Sequence, residues 1–358
     1  MKTTGSVILL TPPIFTFLQR IVLRRPIVCF ANHAQIPFFS NMRRVCSTSA
    51  TPDQRPSPFF PYMAARVFYA PQYVAMELGF FEEEGLAIDL VNGGGSDKSM
   101  TAVLSGDADI GLMGPETAIY VYNQGKEDHP VIIGQVTQCD GSFIVSKTPF
   151  ENFTWEEMRN KTIIGGRRGG MPNMTLEYVL RKKGIMPGVD VNVRTDIQFN
   201  LMAGAFEGSD AEFVALFEPT ASLCELQGIG YVVASVGAES GKIPYTVYIV
   251  DPKRLEKDRP MYEAFIRAIY KAQKWVQEHT PAEIAEVIAP QFPDANLELL
   301  TMVAERYKSI NAWKTDPIMI EEDFYHLQDV IEEAGELTAR VDYNAVIDNS
   351  VANKVVGK

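Results

Sequence analysis

From Arg66 onward short apolar runs alternate with amphipathic ones, and no other feature restricts the fold of this chain as tightly. RVFYA, AIDLVNG, ADIGLMG, VIIGQVTQ, GSFIVSK, TIIGG, VNVRTDI, AEFVALF, YVVASV and YTVYIVD read as strands. PQYVAMELGFFEEEG, SDKSMTAVLSG, ETAIYVYNQG, PNMTLEYVLRKKG, NLMAGAFEG and PTASLCELQG read as the helices between them, and residues 258–348 read as almost wholly helical. Such alternation gives mainly parallel sheets with right-handed crossovers. Apolar strands such as TIIGG and YVVASV suit sheets covered on both faces. The body is too long for one comfortable sheet, so the pattern predicts two α/β lobes. The first lobe takes residues 61–148 and 245–358, and the second takes 149–244. Crossings near 147–150 and 241–246 form a hinge, and a ligand sits in the cleft where strand ends face each other.

The 358 residues carry a net charge of −12. Residues 1–55 hold seven Lys and Arg against one acid, Asp53, so the body is more acidic still. An acidic body argues against nucleic acid or anionic lipid as a partner. The four cysteines and four histidines show no metal-ligand spacing, which predicts neither a metal nor a cofactor. Residues 1–60 are expected to lie outside the fold. Their arginines, their serines and threonines and their lack of acids fit a mitochondrial or plastid transit peptide, with MRRVCSTSA resembling a presequence end. A secretory signal built on VILLTPPIFTFL, or a wrongly assigned start, are the alternatives; that run is too short to span a bilayer. Cys29 and Cys46 follow valine, which fits a lipoprotein signal less well.

If the two-lobed architecture holds, certain loops converge on the cleft. Tyr69 and Gln72 follow the first strand, Gly94 and Gly95 lie in NGGGS, and Gly114, Glu116 and Thr117 lie in GPET. Ser142 follows a turn made by Asp140 and Gly141. The second lobe brings Arg167, Gly169, Gly170 and Asn173 from GGRRGGMPN, then Asn200, Glu218 from FEPT, and Tyr245 at the return. Paired glycines allow close approach to the main chain, and Pro172 fits a helix start whose free N–H groups attract anions. Glu116 and Glu218 open helices, where any carboxylate is favourable; as cleft groups they would accept from amine or ring N–H donors. Tyr69 could stack on a planar ligand. No nucleophile–base set, P-loop or complete GxGxxG appears, so the residues favour binding over catalysis.

The stretch from FYAPQYVAMELGFF to GLMGPETAIYVYNQG resembles the nitrate/sulfonate/taurine and thiamine-pyrimidine-precursor substrate-binding family, as do GGRRGGMPNMTLEYVL, FEPTAS and AWKTDP. The resemblance runs from about Arg66 to Ala345. It implies the two-lobed periplasmic-binding-protein fold (type II), a monomer that closes on a small molecule, and an ABC transporter permease as partner. An extracytoplasmic location, as in bacterial relatives, would then compete with the organellar one. The same fold serves hydroxymethylpyrimidine phosphate synthases, which implies an enzymatic alternative. Their lysine and histidine fall on Met113 and Thr117 here, and their cysteine-rich run is absent, which weighs against that alternative.

Overall fold

The computed structural model of the chain describes residues 21–22, 27–29, 66–93, 95–125, 127–198 and 201–358. Among them the strands are, in chain order, β1 (Ile21–Val22), β2 (Ile27–Cys29), β3 (Leu86–Ala87), β4 (Leu90–Asn92), β5 (Gly111–Met113) and β6 (Val131–Thr137). Then follow β7 (Ser142–Ser146), β8 (Thr162–Ile164), β9 (Asn192–Arg194), β10 (Phe213–Phe217), β11 (Tyr231–Ser235) and β12 (Thr246–Val250). One five-stranded sheet has the order β4-β2-β5-β12-β6, the other β9-β8-β10-β7-β11, and β1 pairs with β3 apart from both. The two orders are equivalent. In each sheet three parallel strands are followed by an antiparallel one that has just crossed from the other sheet. The crossing strands β7 and β12 and the central β10 are buried at every residue, as continuous apolar runs covered on both faces should be, whereas β9 and β11 at the edges are half exposed.

Three expectations need correction. RVFYA is not a strand: Val67–Tyr69 make a turn of 3-10 helix that runs into the helix Ala70–Glu77. A buried apolar run of five residues does not distinguish strand from helix by its period, and Pro71 favours a helical first turn. The vacant place between β4 and β5 is taken by β2, from the segment expected to lie outside the fold. The remainder of the proposed targeting segment lies outside the described residues, apart from β1. The first crossing also falls earlier than expected, at residues 138–141, because β7 pairs antiparallel with β10 and β11 of the second sheet.

The two crossings are bonded to each other. Ile243 N–H donates to the Gln138 carbonyl at 2.9 Å, and Tyr245 N–H to that of Thr137 at 3.2 Å. A third segment flanks them: Gln138 N–H donates to the Ala312 carbonyl and Gln138 Nε2 to that of Asn311. After β12 the chain is mostly helical, as expected. Asp251 caps the long helix Pro252–Glu278, and Thr280 with Glu283 forms a capping box for Pro281–Ile288.

The short helix Val236–Ser240 lies directly on the first crossing. A methyl group on Gly237 would stand 2.0 Å from the Asp140 carbonyl oxygen, so main chain rather than a flexible tip would have to move. Gly237→Ala should therefore cost about 1–3 kcal/mol. A lowered urea midpoint at unchanged m-value would show it.

Candidate functional site

Where the lobes meet, the described residues form an aromatic seam. The Phe68 ring lies 5.7 Å from Phe217 of the second lobe, 5.8 Å from Tyr245 and 5.9 Å from Tyr69. The Arg66 guanidinium stands over the Phe217 ring at 4.7 Å, a cation–π geometry. Gly141 makes this approach possible, because a Cβ there would meet both the Phe68 and Phe217 rings within 2.8 Å.

Two carboxyl groups are buried beside the seam. Glu116 opens the helix Glu116–Asn123 and is 8% exposed. Its carboxyl folds back into the space over Gly114, where a Cβ would lie 2.1 and 2.4 Å from its two oxygens. GPET is thus explained locally: the glycine leaves room for the carboxyl, and Thr117 donates its hydroxyl to the Gly114 carbonyl at 2.7 Å. Asp140 sits in the first crossing, where one oxygen accepts both the backbone N–H and the hydroxyl of Ser142. Among the described residues Glu116 Oε2 has no hydrogen-bond partner, and Asp140 Oδ2 has none at ordinary distance, although the Tyr245 hydroxyl lies against that carboxyl.

Burial lifts the Glu116 carboxyl to about 7, partly opposed by its own backbone N–H. It lifts Asp140 to about 6 against the hydrogen bonds of Ser142 and Tyr245. The Tyr245 phenol is pushed well up by burial, then by Asp140 and Glu116. Two carboxyls and a phenol therefore share one weakly solvated space, where a donor from outside would be worth more than in water.

The remaining expected residues divide. Tyr69, Glu116, Ser142 and Tyr245 come together at the seam. Gln72 is used in the first-lobe core, where its Oε1 accepts from the Tyr248 hydroxyl at 2.6 Å. Gly95 has a φ of 154° and precedes Ser96, whose hydroxyl accepts from Gly114 N–H. Gly94 and Asn200 lie outside the described residues. Glu218 does not offer its carboxyl to the gap: Ser222 donates to each of its oxygens and Arg306 pairs with one of them. An adjacent FEPT sequence reads as a cleft loop, yet nothing in it announces a partner 88 residues away.

The glycine-framed arginine loop lies on the second lobe. Arg167 and Arg168 are exposed, Gly166 and Gly169 have φ of 88° and 73°, and Gly170 N–H donates back to the Arg167 carbonyl. Asn173, in the first turn of the helix Met171–Lys182, is 2% exposed with its Nδ2 unpartnered. It lines a cavity of about 310 Å³ together with Arg168, Glu177, Arg181, Thr195 and Glu336. Glu336 belongs to the carboxyl-terminal region and would lie 3.5 Å from a Cβ on Gly169. Asp140 was legible only as a turn residue; Phe68, Phe217, Arg306 and Glu336 were missed, the last two because they sit in helical sequence far from any strand end.

Among the described residues no group of three or more His, Cys, Asp or Glu could hold a metal ion, and no helix is long and apolar enough to cross a membrane. Cys139 and Cys224 are buried, and desolvation pushes both thiols up, away from the thiolate a nucleophile needs.

Two α/β lobes of equivalent strand order, joined by two crossings, define the periplasmic-binding-protein type of fold. Within it the chain belongs to the NMT1-like family, which matches residues 64–289. It is 42% identical over 292 residues to the Bacillus subtilis (strain 168) protein YtlA, named as a candidate binding protein, covering 82% of this chain and 87% of that one. Its fold is similar to the periplasmic aliphatic sulphonate binding protein SsuA of Escherichia coli (TM-score 0.62, 16% identity, 82% and 97% of the two chains). It is also similar to the periplasmic nitrate-binding protein NrtA of Synechocystis PCC 6803 (TM-score 0.62, 16% identity, 82% and 86%). The resemblance read from the sequence and the expected fold class both hold.

The raised carboxyls give stability a pH dependence of defined sign. Between its ordinary 4.5 and about 7, Glu116 is more protonated folded than unfolded, so its share of stability falls as pH rises through that window. The full loss is about 3 kcal/mol. Asp140 acts in the same direction from 3.8 to about 6. Glu116→Gln should flatten the decline between pH 6 and 7 and leave the variant more stable than the parent at pH 8. Denaturant midpoints across pH 5–8 measure both.

Proposed function

We propose that the chain is a solute-binding protein of the ABC-import type, which captures a small planar molecule carrying ring N–H or amine donors by closure of its two lobes. One observation carries the reading: two carboxyls buried beside an aromatic seam, Glu116 with an oxygen that no described group donates to and Asp140 with only the Tyr245 hydroxyl against its second oxygen. A donor-bearing solute would satisfy both, and the rings of Tyr69 and Tyr245 suit a flat partner. The named role of YtlA supports the binding function, and the periplasmic names of the structural relatives support an extracytoplasmic place of work over an organellar one. A permease would then be the protein's partner.

A second reading has its own observation. The Asn173 amide at a helix start, without a partner among the described residues, suits an oxyanion such as a sulfonate, carboxylate or nitrate beside Arg168, while Arg181 in the same cavity is paired with Glu177. The pyrimidine-synthase alternative draws less support, since Thr117 spends its hydroxyl on Gly114 and Met113 is buried in β5. A fold of this kind hosts more than one activity, so the site must decide.

Thermal shift and calorimetry with aminopyrimidines, alkanesulfonates and nitrate separate the readings. Aminopyrimidines should stabilise the protein by about 2.7 kcal/mol at a hundredfold excess over Kd. Glu116→Gln and Asp140→Asn should each weaken that binding about tenfold or more. Stabilisation by the anions alone, lost in Asn173→Leu and not in Glu116→Gln, would sink the first reading in favour of the second. Gly114→Ala gives a further check: its methyl displaces only the tip of Glu116, so binding should fall as in Glu116→Gln while the urea midpoint stays near the parent's.

A further inference from the structure

Arg306 lies on the helix Leu297–Ser309, remote in sequence from every strand-end loop, yet it holds the wall of the second lobe. Its Nη1 donates to Glu218 at 2.9 Å and to the Ser222 hydroxyl at 2.5 Å, and its Nη2 pairs with Glu225. The three partners span the start and the end of one second-lobe helix, Thr220–Leu226. The Glu218 side chain is 0% exposed and that of Arg306 21%. The next residue repeats the connection. The Tyr307 hydroxyl accepts from Glu218 N–H and donates to the Gly141 carbonyl, both at 3.2 Å, while its ring lies 5.1 Å from Phe68.

The far side of the same helix is fastened to the first lobe. Lys308 donates to the Val276 and Gln277 carbonyls at the end of the long helix Pro252–Glu278. Trp313, just beyond, donates its indole N–H to the Phe68 carbonyl at 3.1 Å. The helix is therefore fixed to one lobe and bonded through Arg306 to the other. Phe217, immediately before Glu218, is the second-lobe ring of the seam.

We propose that Arg306 is a positioning residue of the interlobe gap: through Glu218 and Glu225 it braces the second-lobe wall, Phe217 included, against the carboxyl-terminal helix and so sets how far the lobes stand apart. This rests on the gap being the solute site. Arginine suits the task because its planar fork fixes direction as well as distance. An apolar contact would allow the two helices to slide. Stranding Glu218 in an apolar wall is costly, so movement is directed into residues 138–141 and 241–245.

The double variant Glu218→Gln with Arg306→Leu tests this in the full chain without stranding Glu218, while Glu225, 28% exposed, keeps the Val232 N–H as a donor. The expected result is a melting temperature close to the parent's, with a larger solute-free radius of gyration by X-ray scattering. Hydrogen exchange at the Ile243 and Tyr245 amides, which bridge the crossings, should rise about tenfold or more. A parent-like radius and parent-like exchange would reduce the ion pairs to packing and overturn the proposal. Should the double variant fail to fold, Arg306→Lys decides: lysine reaches one carboxylate at a time, so both readouts should move partway, and parent values overturn the proposal. Neither readout involves a solute, so a failed solute screen and a failed brace are told apart.

Discussion

The chain passes between its sheets twice, and the passages are hydrogen-bonded to each other through Ile243 with Gln138 and Tyr245 with Thr137. The site is arranged around that pairing. Asp140 and Gly141 belong to the first passage, Tyr245 ends the second, and the seam rings close on the glycine between them. The Ala312 carbonyl accepts from Gln138 on the flank, which ties the carboxyl-terminal region to the pivot as well. Because each passage leads directly into the fourth strand of the opposite sheet, a rotation there moves whole sheets rather than loops.

The carboxyls at this pivot are held in a condition that water would not allow. Desolvation alone would drive Glu116 and Asp140 toward the neutral form, and the Ser142 and Tyr245 donors and the Glu116 backbone N–H only partly oppose it. Glu218 shows the contrast. It is as deeply buried, and burial raises it too, but Ser222 and Arg306 use its oxygens. Glu218 thus has its oxygens satisfied, whereas Glu116 and Asp140 each keep an oxygen without a donor at ordinary distance among the described residues. The distinction is one of hydrogen-bond accounting, and residue type does not reveal it.

The same distinction explains what could be read in advance. The alternation of periods was enough for two sheets, and turn chemistry picked out GPET and the glycine-framed arginines, because both signals are local. Strand membership of β7 was not local: GSFIVSK follows a first-lobe strand in sequence and pairs with second-lobe strands in space. RVFYA failed for a related reason, since complete burial removes the polar–apolar contrast from which a period is read. Gln72 and Glu218 were expected at the cleft and are instead used by Tyr248 and Arg306, partners more than 80 positions away.

Equivalent strand order in the two sheets has a further consequence. In the second sheet the first strand, β8, is followed by the glycine–arginine loop and a helix start; in the first sheet β2 holds the matching place, and the helical turn Val67–Tyr69 stands where the matching helix begins. Each lobe thus presents a helix start after its first strand, but with different surroundings. The second lobe offers Arg168, Arg181 and the Asn173 amide together with the carboxylates Glu177 and Glu336, whereas the first is paired with rings, Glu116 and Asp140. The second-lobe cavity thus holds donors and carboxylates together, and Arg181 there is already paired with Glu177 at 2.7 Å.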